Sequence, residues 1–341
     1  MRNAPSILLA VALAAPTLAE EFDVLFDQPQ LDRWMYPFNS SAGARATMSV
    51  FGSDREVPTQ FDARDGQILL AFDTDLVIPP GGTAAGYRVT SAEVTMQVQN
   101  NLVFRYDPTP DAWTTFLPAT DARRTVDADE GQPVELFGVG FRGGYSAATF
   151  GEDTAFTGTG NFLSPGVRNA FAAVVDDTGM PSDVSNNPRV GFQPKNFATG
   201  SITGLAAGAQ VPADSIMRFA VDVNDPGIQA YLCQGLHAGR VFFAASALTI
   251  VQQQAGEYPV FYAKENAFVS LGLAQAARLR IKVETVPACV AEDLDCNGVV
   301  DFGDVALALI DFGPCTGCQA DLDGTGIVDY GDVALVMLSY G

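Results

Sequence analysis

Asp293-Leu294-Asp295-Cys296-Asn297-Gly298-Val299-Val300-Asp301-Phe302-Gly303-Asp304 runs into Val305-Ala306-Leu307-Ala308-Leu309-Ile310-Asp311-Phe312-Gly313, and 28 positions on (321 − 293) the text returns. The second copy reads Asp321-Leu322-Asp323-Gly324-Thr325-Gly326-Ile327-Val328-Asp329-Tyr330-Gly331-Asp332, then Val333 to Gly341. A duplicated unit of this length is one supersecondary element packed against its copy. Each loop matches the positions 1, 3, 5, 7, 9 and 12 from which an EF-hand loop offers oxygens to calcium, a hard cation. In copy one these are Asp293, Asp295, Asn297, the carbonyl of Val299, Asp301 and Asp304; in copy two, Asp321, Asp323, Thr325, the carbonyl of Ile327, Asp329 and Asp332. Position 6 needs positive φ, which glycine reaches without steric penalty, and it is Gly298 or Gly326. The expected cofactor is Ca2+ at two sites. The second should be weaker, because Thr325 replaces a stronger ligand.

Beyond each loop the apolar period is helical. Val305, Leu309 and Phe312 lie at i, i+4 and i+7, and Val333, Met337 and Tyr340 repeat the stripe. Gly313 and Gly341 are expected to stop the two helices. No helical pattern precedes either loop, so each unit reads as loop then helix. A disordered acidic tail would lack such stripes.

This tail resembles a dockerin, the duplicated calcium-loop-plus-helix module of secreted bacterial proteins. The variety in question carries Gly-Pro-Cys and Gly-Cys between the repeats, here Gly313-Pro314-Cys315 and Gly317-Cys318. The resemblance implies a small α-helical domain over 287–341 and a cohesin-like or other surface-anchoring partner. Cellulosomal dockerins carry small hydroxyl residues at loop positions 10 and 11, whereas this chain has Phe302-Gly303 and Tyr330-Gly331. That departure leaves calcium binding intact and argues for an anchoring partner other than a cellulosomal cohesin.

The chain has 341 residues, 48% of them hydrophobic, so it affords a large folded core. Net charge is −21; residues from Pro287 onward hold ten acids and no base, leaving 30 acids against 19 bases, or −11, for the rest. No basic patch is visible, which speaks against nucleic-acid binding and against docking on anionic lipid. Arg2 followed by the apolar run Ile7–Leu18 and Thr17-Leu18-Ala19 reads as a signal peptide over 1–19, with a mature start near Glu20. That run is too short to span a bilayer. The expectation is a secreted, extracellular or cell-surface protein with no membrane span once the signal is removed.

Five cysteines occur, Cys233, Cys289, Cys296, Cys315 and Cys318, four of them in the tail. An oxidising compartment favours two disulfides among these four, with three pairings open. A zinc site is the alternative, although its ligands would be interleaved with the calcium loops. Cys233 is expected to be a buried thiol.

From residue 20 to 286 the text is strand-like. Gln67–Phe72, Glu93–Val98, Val134–Phe137, Met217–Val221, Val241–Ala244 and Arg278–Val283 are apolar or alternating runs separated by Gly, Pro, Asn and Asp. Such spacing predicts a mainly β protein with an antiparallel sandwich or jelly roll. The clear helix candidate is Pro226–His237, with Asp225 as cap and Gly239 as stop. Leu69–Asp73, the Pro80-Gly81 turn and Val89–Val94, and later Phe219–Val223, the helix and Gly239–Phe243, resemble extracellular β-sandwich modules known for a DNRLRE signature. The signature itself is absent.

No catalytic motif stands out. His237 is the single histidine, which excludes a histidine-rich metal site and leaves a lone helical side chain for any Ser-His-Asp arrangement. Gly138-Val139-Gly140-Phe141-Arg142-Gly143 matches G-x-G-x-x-G, but no helical stripe follows, so it reads as a turn or bulge. The acid pairs Asp107 with Asp111, Asp176 with Asp177, and Asp222 with Asp225 are candidates for glycosidase carboxylates. Trp34, Tyr36, Tyr106 and Trp113 could stack on sugars or fill the core. The reading is an exported, non-catalytic β-sandwich protein with a calcium-binding tail for attachment or assembly. The alternatives are a carbohydrate-active enzyme or polysaccharide-binding module carried by that tail, or a structural matrix protein.

Overall fold

The computed structural model describes residues 20–39, 41, 43–53, 55, 60–79, 83–251, 256–286, 290–295, 299–315 and 317–340. The expected signal segment 1–19, the Pro80-Gly81 turn, Cys289, Cys296, Asn297, Gly298 and Gly341 lie outside the described residues. Two compact units are present, Glu21–Glu284 and one containing Thr285–Gly341.

The larger unit is mainly β and sandwich-like. One sheet orders Glu21–Phe26, Arg278–Thr285, Tyr87–Gln97 and Ile216–Ala220. The other orders Leu31–Met35, Arg64–Asp73, Arg240–Ser246, Glu135–Phe141, Ala170–Val175 and Pro181–Asp183. The ladders of Arg64–Asp73 with Leu31–Met35 and Arg240–Ser246 are antiparallel, as are those of Glu135–Phe141 with Arg240–Ser246 and Ala170–Val175. In the four-stranded sheet, Glu21–Phe26 with Arg278–Thr285 and Ile216–Ala220 with Tyr87–Gln97 are antiparallel too.

Alternation of side chains explains the core. Ile68, Leu70, Phe72, Val241, Phe243 and Ala245 point to one face of the large sheet and meet Val94, Met96, Phe219, Leu279 and Ile281 of the small one. Leu69, Ala71, Phe242, Ala244, Phe137 and Ala172 build a second cluster on the opposite face. A strand buried on both faces reads as a continuous apolar run, and Ile68–Phe72 does so for that reason. The helix Pro226–His237 forms as expected: the Asp225 side chain accepts from Ile228 N at 2.9 Å, and Ile228, Leu232, Cys233 and Leu236 are buried. One-turn helices at Asn187–Val190 and Ala267–Ser270 were not expected, since four residues carry no periodic signal.

Polar side chains lock the loops that cover the large sheet. Arg168 is fully buried and donates to Asp62 Oδ2 at 2.7 Å and to the carbonyl of Asp65 at 3.0 Å. Asp62 Oδ1 accepts from Gly166 N at 2.6 Å and Asn186 Nδ2 at 2.7 Å. Arg64 pairs with Glu135 at 2.6 Å, both buried. No helix among the described residues is long and apolar enough to cross a membrane.

The C-terminal unit is loop then helix, twice, with helices Phe302–Ile310 and Tyr330–Leu338. Its core is Val300, Val305, Ala308, Val333 and Val336, with Leu294 and Leu322 against it. The expected stripes therefore need correction. Beyond Val305 and Val333 the buried positions are Ala308 and Val336, whereas Leu309, Phe312, Met337 and Tyr340 are exposed. The i, i+3 pair faces the partner helix because the core is short and is completed by Val300 and Val328 from the loops. Nor does Gly313 stop its helix. The helix ends at Ile310 with Asp311 as C-cap, and Gly313-Pro314 pairs antiparallel with Ile327-Val328.

Candidate metal centre

The loops of the C-terminal unit hold two matched acidic clusters. Carboxylate oxygens of Asp293, Asp295 and Asp304 lie within 4.8 Å of one another, and those of Asp321, Asp323 and Asp332 do the same. Local chemistry explains the convergence. Asp304 sits in the first turn of its helix and is fully buried; its Oδ1 accepts from Asp295 N at 3.1 Å and its Oδ2 from Asp301 N at 2.8 Å. Asp332 repeats this, its Oδ1 accepting from Leu322 N at 2.8 Å and Asp323 N at 3.2 Å, and its Oδ2 from Asp329 N at 2.8 Å. Each acid thus ties the helix start back to the head of its own loop. The backbone hydrogen bonds, chiefly from Asp329 N, hold the Asp332 carboxyl below its usual range.

Asp301 and Asp329 lie outside those triads. Both are helix N-caps with φ near −134° and −133°, and each side chain accepts from the N–H two residues on, Gly303 or Gly331, at 2.6 Å. In a calcium loop the ninth position often reaches the ion through water, which fits this placement. Asp321 folds its own loop, with Oδ1 accepting from Thr325 N at 3.0 Å and Oδ2 from Gly326 N at 2.9 Å. Gly326 has φ +82°, the left-handed turn expected at position 6. Thr325 Oγ1 donates to the Ile327 carbonyl at 3.1 Å, which ties the fifth loop position to the seventh. Asn297 falls outside the described residues, while Val299 is half-exposed by its loop.

Three anionic oxygens this close repel one another, and a hard divalent cation is the group that this all-oxygen donor set fits. Next to the second loop, Cys315 and Cys318 form a disulfide with a Cα–Cα distance of 5.9 Å. Cys233 is a free, buried thiol, its pKa raised by desolvation, and its sulfur donates to Tyr87 O at 3.2 Å.

Other candidates resolve into structure. Asp176 Oδ1 accepts from Thr178 N, Thr178 Oγ1 and Met180 N to close a turn, and Asp225 caps a helix. Gly138 and Gly140 lie within the strand Glu135–Phe141, and Gly143 and Gly144 turn out of it with positive φ. His237 is exposed at the end of its helix. Tyr106 is buried, and its hydroxyl accepts from Ile202 N at 3.0 Å. Trp34 stacks on Tyr36 at 4.7 Å, and Phe38 extends that row to Phe162. A cleft of about 200 Å3 lined by Phe116, Leu117 and Leu248 contains Arg55, Arg123 and Arg189. Those arginines already donate to Thr115 O, to Asp121 and to Ser53 Oγ. Asp107 and Asp111 do converge, with Asp129 as a third carboxylate that the sequence did not single out. Comparisons of the chain with protein-family models, curated proteins and solved structures return no match.

Proposed function

We propose that this is an exported, non-catalytic β-sandwich protein whose C-terminal unit binds two calcium ions and uses the folded form to attach to a surface or extracellular partner. The observation that carries the reading is the repetition of one device, a convergent Asp triad closed by a buried first-turn Asp, at both loops. Asp293, Asp295 and Asp304 would hold the first ion and Asp321, Asp323 and Asp332 the second, with Asp301 and Asp329 reaching through water. Calcium supplies charge neutralisation and a fixed loop geometry.

Attachment rests on a second feature of the unit. Phe302 at 71%, Tyr330 at 77% and Leu338 at 80% exposure leave large apolar side chains in solvent, next to the loops and at a helix end. Tyr330 packs against the exposed Phe312 at 5.0 Å, and joined exposed apolar surface marks interaction sites. The partner we favour is a cohesin-like or other anchoring protein whose contact surface is apolar, in keeping with aromatic residues where cellulosomal dockerins carry hydroxyls. A polysaccharide-binding role for the larger unit is the second reading, favoured by the Trp34–Tyr36–Phe38–Phe162 row.

The test is retention of the full chain on an envelope fraction of the producing cell and, separately, on insoluble polysaccharides. Retention on the envelope in calcium, lost with chelator and with Phe302→Ser/Tyr330→Ser, supports attachment through the tail. Retention on polysaccharide that ignores both treatments would move the function to the larger unit. Retention on neither would refute both readings.

A further inference from the structure

The β-sandwich unit carries its own cluster of carboxylates. Asp107, Asp111 and Asp129 place one oxygen each within 4.8 Å of the others. Two segments of the connection between Tyr87–Gln97 and Glu135–Phe141 make it, with Thr109 and Asp129 20 residues apart. Gly131 has φ +118°, and a Cβ there would come 3.0 Å from the Asp107 Cβ, so a glycine lets the second loop close onto the first. The Thr109 hydroxyl then lies 2.8 Å from both Asp107 Oδ1 and Asp129 Oδ2 and bridges the loops. Thr109 N also donates to Asp107 Oδ1 at 2.8 Å, fixing the carboxylate's rotation.

A second observation separates this cluster from ordinary surface acidity. Asp107 is 4% exposed, and its Oδ2 is buried without a hydrogen-bond partner among the described residues; the same holds for Asp111 Oδ2. A buried anionic oxygen left unpaired is strongly unfavourable. No Lys or Arg forms an ion pair with Asp107, Asp111, Asp127 or Asp129 among the described residues. The nearby Arg105 pairs with Glu130 instead. The contrast lies in the same unit. Asp32, Glu152 and Glu265 also converge, but Lys264 stands among them, 3.6 Å from Asp32 and 3.5 Å from Glu265 and in contact with Glu152. That cluster has its cation built in, and the Asp107 cluster has none.

We propose that Asp107, Asp111 and Asp129 form a third divalent-cation site, for calcium, within the β-sandwich unit and independent of the C-terminal loops. The two unpaired Oδ2 atoms and an oxygen of Asp129 are the protein ligands, and water completes the six to eight oxygens that calcium takes. Asp129 is exposed and gives the ion its entry path. The bound ion joins segment 107–111 to segment 127–132, a link that the Thr109 hydroxyl makes without it through Asp129.

The test uses the full chain with Asp293→Ala and Asp321→Ala, which silences the C-terminal loops. Terbium serves as a luminescent stand-in for calcium. The chain's two tryptophans are Trp34 and Trp113, both outside the C-terminal unit, and Trp113 lines a small cavity together with Asp111. Excitation through tryptophan should give terbium emission that calcium displaces. Asp107→Asn/Asp111→Asn should abolish it. No emission from the silenced chain, or emission that the double substitution leaves unchanged, overturns the proposal. Thermal melting of Asp111→Asn guards against a folding artefact. In chelator the substitution removes like-charge repulsion and should raise Tm, whereas in calcium its Tm should fall below that of the unsubstituted chain. A fall in both conditions would make Asp111 merely structural and would also overturn the site.

Discussion

Asp293→Ala should weaken calcium-dependent folding of the C-terminal unit about twice as much as Asp321→Ala. The two loops differ in local detail. Asp293 is buried and Asp321 half-buried, and loop two has Thr325 at the position where loop one has Asn297, whose amide oxygen is the stronger ligand. Extracellular calcium modules work at Kd on the order of 0.1 to 1 mM. Placing loop one at about 0.1 mM and loop two at about 1 mM, about 10 mM calcium stabilises the folded unit by RT ln(1 + [L]/Kd), about 2.7 kcal/mol from the first loop and about 1.4 kcal/mol from the second. Each substitution removes its own loop's share. Titration calorimetry on the full chain should show the tighter tail component vanish in Asp293→Ala and the weaker one in Asp321→Ala. Equal losses, or a larger loss from Asp321→Ala, would refute the ranking and the role given to Thr325.

Asp62→Ala should destabilise the larger unit by about 3 kcal/mol, because it takes from the fully buried Arg168 the carboxylate it bonds at 2.7 Å and leaves only Asp65 at 3.9 Å; urea unfolding measures this, and a change under about 1 kcal/mol would contradict it. Asp65→Asn tests a pH dependence. Burial raises the Asp65 carboxyl from 3.8 to about 7, against the pull of Arg168 at 3.9 Å. The folded chain therefore holds a proton that the unfolded chain releases, and the stability this group contributes is full below about pH 4 and lost as pH rises through about 7. The substitution should stabilise at pH 8 and give no gain at pH 4, read as the difference between two denaturation series. A gain at both pH values would point to a cause other than titration. In denatured, unreduced protein, Cys315 and Cys318 should resist a thiol probe that labels Cys233; labelling at Cys315 would contradict their bond.

Much of the β fold was legible because strand signals are local. Glu93–Val98 alternates, and Ile68–Phe72 is apolar throughout because both of its faces are buried. The sequence could not say which strands pair, since the large sheet joins Arg64–Asp73 to Arg240–Ser246 across about half the chain. In the C-terminal unit the repeat itself revealed the acidic positions. The helix stripe misled, because Leu309 and Phe312 fit a helical period while Ala308, small and unremarkable, is the residue that packs. The Asp107 cluster was half legible. Asp107 and Asp111 stand out as a pair, but Asp129 joins them only through Gly131 and Thr109, contacts that leave no periodic trace.

Amide hydrogen exchange on the full chain, with and without calcium, bears most directly on the central claim. Protection should appear in Phe302–Ile310 and Tyr330–Leu338 when calcium is added and vanish with chelator, while Arg64–Asp73 and Arg240–Ser246 stay protected throughout. Helices equally protected in chelator and in calcium would contradict a calcium-folded attachment unit.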